Sequence, residues 1–103
     1  MINSYDWLPM GTIIRGNEGE HTAMIAGVMV TNQADGKFYD YLAYPYPEGR
    51  TDGEGYFLNK DDIAEILQIG FMNSTGMLYQ DYLNDRTPEF ESIKSVTNEG
   101  NDD

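Results

Sequence analysis

The segment Thr22 to Thr31 (TAMIAGVMVT), the turn residues Asp35 and Gly36, and the segment Phe38 to Tyr44 (FYDYLAY) together predict an antiparallel β-hairpin. Apolar side chains occupy both alternating faces of the first segment, which is typical of a central strand. An Asp-Gly pair tolerates positive φ at a tight turn, so the second segment should return antiparallel to the first. Gly27 within the first strand indicates a bulge or a sharp bend.

Shorter segments on either side should extend this sheet. Residues 11–15 read as a short β-branched strand, and Tyr56-Phe57-Leu58 and Ile69-Gly70-Phe71 as two brief strands. Tyr44-Pro45-Tyr46-Pro47 cannot continue a hydrogen-bonded central strand, because proline has no amide proton and favours an extended predecessor. We therefore expect that segment to be an edge or a loop.

Two helices are expected after the strands. Asn59 is a good N-cap and Ile63 and Ile66 repeat at helical spacing, which predicts a short helix over residues 60–68 that ends before Gly70. Because Asn73-Ser74 is another capping signal and Met77 to Leu83 contains apolar pairs four residues apart, a second, C-terminal helix should follow.

The expected fold is α+β. A small, strongly bent antiparallel sheet or open barrel of about four or five strands carries one short helix after the strands and a second C-terminal helix. Residues 1–84 should form a single globular domain, since 103 residues with 40% hydrophobic content fit one modest core. Apolar density falls after residue 84, so residues 85–103 are expected to form an acidic, flexible tail.

Charge and composition restrict the partners. Eighteen acidic and six basic residues give a net charge of -12, which repels nucleic acid and anionic membranes. The absence of cysteine excludes disulfides and thiolate sites and fits a reducing compartment. Since no signal-peptide pattern begins the chain, we expect a cytoplasmic protein whose partners are neutral or basic.

Catalytic patterns are missing from the sequence. His21 is the single histidine, and no serine lies in a nucleophile elbow. Asp61, Asp62 and Glu65 have a local role at a helix start, and no Gly-rich segment leads into Lys-Ser or Lys-Thr. Asp40, on a partly buried face, should hydrogen-bond a turn or a tyrosine hydroxyl rather than act in catalysis. We expect no enzyme activity, no cofactor and no metal; an enzyme using Asp40 or His21 is the competing class.

Tyrosine next to carboxylate is the remaining chemical signal. The chain has eight tyrosines, and tyrosine combines a large contact area with a polar tip, which suits binding surfaces. The densest group predicts a protein-binding surface formed by Tyr39, Asp40, Tyr41, Tyr44, Tyr46 and Glu48.

Several segments together resemble a family of small bacterial proteins, domain-of-unknown-function family 4176 (DUF4176). The resemblance is carried in order by Leu8-Pro9-Met10-Gly11-Thr12-Ile13-Ile14, Met24-Ile25-Ala26-Gly27, Asp35-Gly36-Lys37-Phe38-Tyr39-Asp40-Tyr41, Tyr44-Pro45-Tyr46-Pro47-Glu48-Gly49, and Tyr56-Phe57-Leu58-Asn59 with Asp62-Ile63 and Ile69-Gly70-Phe71. These segments cover roughly residues 7–72.

The resemblance implies a biological setting. Members look like accessory proteins encoded near type VII secretion loci of Gram-positive bacteria, beside toxins with an N-terminal LXG domain. The implied function is a cytoplasmic adaptor or chaperone for such a secreted toxin, and the family supplies no catalytic residues. An immunity protein that neutralises a toxin domain and a small-ligand-binding barrel are the alternatives, and a homo-oligomer is possible.

Overall fold

In the part of the chain that the structure describes, the fold consists of a five-stranded antiparallel sheet and one long helix. The computed structural model describes residues 6–17, 21–51, 53 and 55–100. In chain order the elements are β1 (Ile13–Gly16), β2 (Thr22–Asn32), β3 (Lys37–Tyr46), β4 (Tyr56–Leu58), a 3₁₀ turn (Lys60–Asp62), β5 (Ile63–Gln68) and α1 (Ser74–Gly100). The strand order is β4-β3-β2-β1-β5, which confirms the α+β class and the antiparallel sheet.

The predicted hairpin is the centre of this sheet. β2 and β3 pair antiparallel from Thr22↔Tyr46 to Asn32↔Lys37, and the turn is held by the Lys37 amide, which donates to Asp35 Oδ1 at 2.9 Å. Gly36 has a φ of 71°, the left-handed conformation that glycine adopts without strain. The pairing register shifts between Ile25 and Gly27, so the predicted bulge is confirmed.

The sheet curls because its two edge strands are consecutive in the chain. The connection from Leu58 to Ile63 could span at most about 18 Å if it were fully extended. Five flat strands would separate the edges by about 19 Å, and the 3₁₀ turn shortens the connection further. The sheet is therefore curved, and among the described residues it stays open, with β4 paired to β3 and β5 to β1.

Trp7 is at the centre of the core and joins the sheet to the helix. Its ring makes edge contacts with Tyr41 of β3 at 5.6 Å and with Phe90 of α1 at 5.9 Å between centroids. The indole Nε1 donates to Thr87 Oγ1 at 2.8 Å. Leu8 is also almost fully buried, so the segment before β1 fills the space between sheet and helix.

The predicted helix over residues 60–68 is wrong. Only the 3₁₀ turn follows Asn59, and Ile63–Gln68 is strand β5, paired with β1. Ile63 is buried and Ile66 packs against the core, although residues three apart normally point to opposite faces of a strand. A register shift between Arg15 and Gly16 of β1 accounts for this spacing, because an irregular pair re-aims one side chain.

The segment Ile69-Gly70-Phe71 does not form the predicted last strand. Gly70 instead lies against the segment before β1, where its amide donates to Thr12 Oγ1 at 3.0 Å. A β-carbon on Gly70 would collide with the carbonyl oxygen of Met10. Glycine is therefore required here for close approach of two backbones, not as a helix stop.

The predicted C-terminal helix is present and is longer than expected. Asn73 caps it, since its Oδ1 accepts from the Gly76 amide at 2.9 Å. The helix continues to Gly100, so residues 85–100 are helical and not the predicted flexible tail. Phe90 is buried in the core, which explains why this part of the chain is ordered. Residues 101–103 of the predicted tail lie outside the described residues.

The face of α1 that contacts the sheet is largely polar. Leu83 and Phe90 are its buried apolar residues, and the others make hydrogen bonds or an ion pair with the sheet or with the segment before it. These polar positions are Gln80, Thr87, Lys94 and Asn98. A helix held in this way lacks the apolar periodicity by which sequence patterns identify a packed helix.

Candidate protein-binding surfaces

Asp40 is a structural anchor and is almost inaccessible to a partner. The residue as a whole is 3% exposed; Oδ1 accepts from Lys94 Nζ at 3.0 Å and Oδ2 from the Lys60 amide at 2.8 Å. The Asp40 amide donates to Asn59 Oδ1 at 3.1 Å. Asp40 thus joins β3 to the 3₁₀ turn and to α1, and the expected hydrogen bond to a turn is present.

Tyr41 is also buried. Its hydroxyl accepts from the Leu8 amide at 2.9 Å and donates to the Asp6 carbonyl oxygen at 3.1 Å. Burial, with the nearby Asp40 and Asp6 carboxylates, raises the pKa of the Tyr41 hydroxyl well above its ordinary value, although the bond from Leu8 opposes the rise. Asp40 and Tyr41 therefore support the fold and do not present themselves to a partner.

The alternation of inward and outward side chains along β3 breaks between Asp40 and Tyr41, because these two consecutive side chains are both buried. Met29 of the paired strand β2 has a φ of 49°, an uncommon backbone conformation for a non-glycine residue. As a result Tyr39 lies on the outer face of the sheet with Phe57 of β4, 5.6 Å away between centroids, although strict alternation along the strand would place it on the same face as Tyr41.

The Tyr39 hydroxyl is held by the hairpin turn. It donates to Asp35 Oδ2 at 2.8 Å. This hydrogen bond, followed by partial burial, raises the pKa of Tyr39. The Lys37 amide and then the Tyr39 hydroxyl lower the pKa of Asp35, because both donate to its carboxylate. Tyr39 is half-buried and contributes part of its ring to the outer surface.

Tyr44, Tyr46 and Glu48 are the accessible members of the predicted group. Tyr44 lines a depression of about 390 Å³ on the outer face, together with Leu42, Phe57, Arg50 and turn residues. Tyr46 is 51% exposed at the end of β3, and Glu48 is exposed in the following turn. The strand reaches Tyr46 through Pro45, but β4 pairs only with residues 41–43, so this end of β3 is an edge, as the prolines predict.

A second surface was not predicted from the sequence. Large apolar side chains are exposed around the start of α1, including Phe71 at 81% and Leu78 at 70%. We call this the helix-start surface, formed by Phe71, Met77, Leu78, Tyr79 and Tyr82. The signal was present in the segment Met77 to Leu83, which has more apolar residues than one helix face can bury.

A groove borders the helix-start surface. It lies between the Trp7–Met10 segment and the first turns of α1 and has a volume of about 220 Å³. Its walls include Met10, Met72 and Tyr79, and Phe71 lies at its edge. An apolar groove next to exposed apolar side chains is typical of a protein-contact site.

Other chemistry is sparse in the described part of the chain. His21 is exposed at the start of β2 and lines an opening of about 580 Å³ between β1 and β4. No three histidine, aspartate or glutamate side chains in residues 6–17, 21–51, 53 and 55–100 are grouped to hold a metal ion. Within the same residues, no helix has the length and apolar character needed to cross a bilayer.

A family model described as "Domain of unknown function (DUF4176)" matches residues 7–77, which is more than half of the chain. The chain belongs to the DUF4176 family. The match begins at the core residue Trp7, covers all the strands described for this DUF4176 protein and ends at Met77 in the first turn of α1. Searches among curated proteins and solved structures return no match. The family is thus established, and its description assigns no activity.

Proposed function

We propose that this DUF4176 protein is a cytoplasmic, non-enzymatic accessory factor that binds another protein. The observation that carries the proposal is the helix-start surface. Its side chains are large, apolar and exposed, they are contiguous with an apolar groove, and the fold does not bury them. Contiguous exposed apolar side chains of this size mark interaction sites, because leaving them in water is unfavourable.

The partner that the family resemblance favours is a type VII-secreted toxin of the LXG class, with the DUF4176 protein as its adaptor or chaperone. Charge supports a protein partner that is neutral or basic, since the net charge is -12. An apolar contact surface on an acidic chain suits a chaperone, because it can cover apolar segments of the toxin while keeping the complex soluble.

Tyr44, Tyr46 and Glu48 provide a second contact in this proposal. They lie on the outer face and at the edge of β3, and tyrosine contributes contact area with little loss of side-chain entropy. This second contact rests on exposure and residue type, whereas the helix-start surface also rests on an adjoining groove.

Co-expression with a candidate LXG toxin tests the proposal. The wild-type chain should co-purify with the toxin in a fixed ratio and raise the amount of toxin exported. Leu78→Ser with Tyr82→Ser should reduce the complex at least tenfold, because both residues belong to the helix-start surface. Tyr46→Ser with Glu48→Gln measures the second contact. The matched control is Tyr56→Ser with Leu67→Ser, two exposed apolar residues on other elements.

The outcomes separate the candidate functions. Loss of export on deletion, with toxin activity unblocked in the complex, supports an adaptor or chaperone. Protection of cells from the active toxin would instead make the chain an immunity protein. A chain that stays alone in co-expression, with export unchanged on deletion, would contradict the proposal.

A further inference from the structure

The outward side of α1 carries an ordered stripe of side chains. The residues that contact the sheet define the inner side, and a helix rotates by about 100° per residue, so the opposite side can be assigned. We define the outward stripe as six exposed residues on the half of the helix turned away from the sheet, with Ile93 at the border of that half: Leu78, Tyr82, Asp85, Glu89, Ile93 and Val96. The steps along it are three or four residues long, the spacing at which one helix contacts another.

The stripe has apolar ends and an acidic centre. Leu78 and Tyr82 at one end and Ile93 and Val96 at the other are exposed, with Leu78 at 70% and Val96 at 71%. Nothing in the described chain covers them. Two apolar pairs at contact spacing on the exposed side of a helix have no role in packing the domain, which points to an external contact.

The central carboxylates are available to a partner. The Asp85 side chain makes no hydrogen bond or ion pair within the described residues. Glu89 lies 3.8 Å from Arg86 in an exposed pair, which contributes little to stability. The Arg86 guanidinium also lies over the Tyr82 ring at 5.1 Å. A contact formed over this centre must therefore supply positive charge, since the Asp85 carboxylate would be buried without a partner and the exposed Arg86 pair compensates Glu89 only weakly.

A second copy of the chain fits the stripe poorly. The stripe is nearly symmetrical about residue 87, so in an antiparallel pair Asp85 of each copy would face Glu89 of the other. In a parallel pair, each carboxylate would face its own equivalent. Both orientations place four carboxylates at the centre of the contact, and like charges so placed suppress pairing. The charge of -12 on each copy adds to this repulsion.

We propose that the outward stripe binds a helix of another protein that has apolar residues at both ends and lysine or arginine at its centre. Leu78 to Val96 spans about 27 Å at 1.5 Å per residue, so the bound helix has roughly five turns. Apolar contacts at the two ends give affinity, and the central charges fix register and exclude self-association. The inference rests on the proposed function and specifies the partner's contact segment.

Cross-linking identifies the segment that binds. A photo-reactive amino acid at Ser92, exposed next to the stripe, should cross-link to a basic, helical segment of the co-expressed toxin. The matched control is Asn84, exposed on the same helix but turned away from the stripe, where cross-linking should be at least tenfold weaker. Cross-linking of Ser92 to another copy of this chain, or to a segment without central basic residues, would overturn the proposal.

Charge exchange tests the mechanism on the same complex. Asp85→Lys with Glu89→Lys should raise the Kd for the synthesised cross-linked segment at least tenfold. Changing the central lysines of that segment to glutamate should restore binding to this variant and weaken binding to the parent. The single variant Asp85→Lys has a matched control in Asp61→Lys, which replaces an exposed carboxylate on the 3₁₀ turn. The Kd of this control should differ less than twofold from that of the parent chain. Circular dichroism checks that each variant is folded.

The two proposals fail in different ways. If the wild-type chain binds the toxin and the Asp85→Lys, Glu89→Lys variant binds it equally well, the proposal for the outward stripe is overturned. The proposed protein-binding function then still holds. A wild-type chain that binds no toxin overturns the proposed function, and the stripe proposal with it.

Discussion

A single carboxylate, that of Asp40, connects three parts of the molecule. It bonds Lys94 of α1 and the amide of Lys60 at the 3₁₀ turn, while belonging itself to β3. Both charged side chains are shielded, with Lys94 16% and Asp40 4% exposed. A buried pair whose members have further hydrogen bonds is sensitive to loss of one partner, because the other is left charged in a poor solvent.

Replacing either member of this pair should destabilise the fold. We expect Asp40→Asn or Lys94→Met to lower the free energy of unfolding by about 2–3 kcal/mol, and the double variant to lose less than the sum. Urea denaturation of the four proteins measures the coupling. The exposed pair Arg15 and Glu65 is the control, since Glu65→Gln should cost less than about 1 kcal/mol. Additive effects at Asp40 and Lys94 would show that they act independently.

The Tyr41 hydroxyl should make stability fall at alkaline pH. Because its pKa is raised in the folded chain above the ordinary value of 10.0, the unfolded chain loses this proton first as pH rises. The stabilisation that the protonated Tyr41 hydroxyl gives the folded chain is complete below pH 10. Above pH 10 the free energy of unfolding falls by about 1.4 kcal/mol per pH unit for this one group. Urea unfolding between pH 8 and 11.5 measures the slope.

Phenylalanine at position 41 provides the comparison. Tyr41→Phe should be less stable at pH 7, because the Leu8 amide loses its acceptor, yet its stability should fall less steeply above pH 10. Tyr56→Phe, on a half-exposed ring, is the matched control and should follow the parent curve. Parallel slopes for Tyr41→Phe and the parent would contradict the assignment.

At the scale of elements, β5 and α1 show which features a sequence pattern can predict. The hairpin was predictable because an Asp-Gly turn joins two apolar runs. β5 was not, because Ile63 and Ile66 have helical spacing and reach one face only through an irregular pairing with β1. The helical spacing of these residues did not determine the structure, because as a strand this segment gives β1 a second hydrogen-bonded neighbour.

The second half of α1 was missed for a different reason. Pro88 lies inside the helix, and the inward positions Lys94 and Asn98 are polar. The Asn98 side chain hydrogen-bonds the backbone of β3 as a neighbouring strand would. Its Oδ1 accepts from the Phe38 amide at 2.9 Å and its Nδ2 donates to the Phe38 carbonyl at 3.0 Å. Such long-range polar pairing leaves no periodic apolar signal in the sequence.

The candidate binding surfaces, like the strands and the helix, could be predicted only in part from local sequence. Residue type identified Tyr44, Tyr46 and Glu48, which are accessible, and also Asp40 and Tyr41, which are buried. Alternation could not separate these two groups, because consecutive buried residues in β3 break the pattern. The helix-start surface depends on which side of α1 meets the sheet, and that side is set by contacts distant in sequence.

Truncation should show that the end of α1 belongs to the domain. A chain ending at Asn84 loses Phe90, Lys94 and Asn98, and removal of the Phe90 ring alone should cost about 3–5 kcal/mol. We expect this chain to unfold or to melt at least about 15 °C lower. A chain ending at Glu99 is the control and should melt within about 2 °C of the parent. Thermal circular dichroism measures both; equal melting of all three would restore the tail interpretation.

For the whole molecule, net charge opposes compactness. Eighteen acidic against six basic residues repel one another more in the folded chain than in the expanded one. Raising NaCl from about 10 mM to about 500 mM shortens the screening length several-fold and should raise Tm by about 3–8 °C. Sucrose, which does not screen charge, provides the comparison at equal osmolality. A flat or falling Tm in NaCl would show that ion pairs outweigh the repulsion.

The order of the strands also has a consequence for folding kinetics. β2 and β3 are joined by residues 33–36, and β3 and β4 by residues 47–55, whereas Arg15 of β1 contacts Glu65 of β5 across 50 positions. Closing that long loop has the larger entropic cost, so the β1–β5 pair should form after the hairpin. Destabilising changes in β5 then act mainly on the unfolding rate. The short connection between β4 and β5 limits this delay. Once β4 has paired with the β2–β3 hairpin, that connection keeps β5 close to its position in the folded chain.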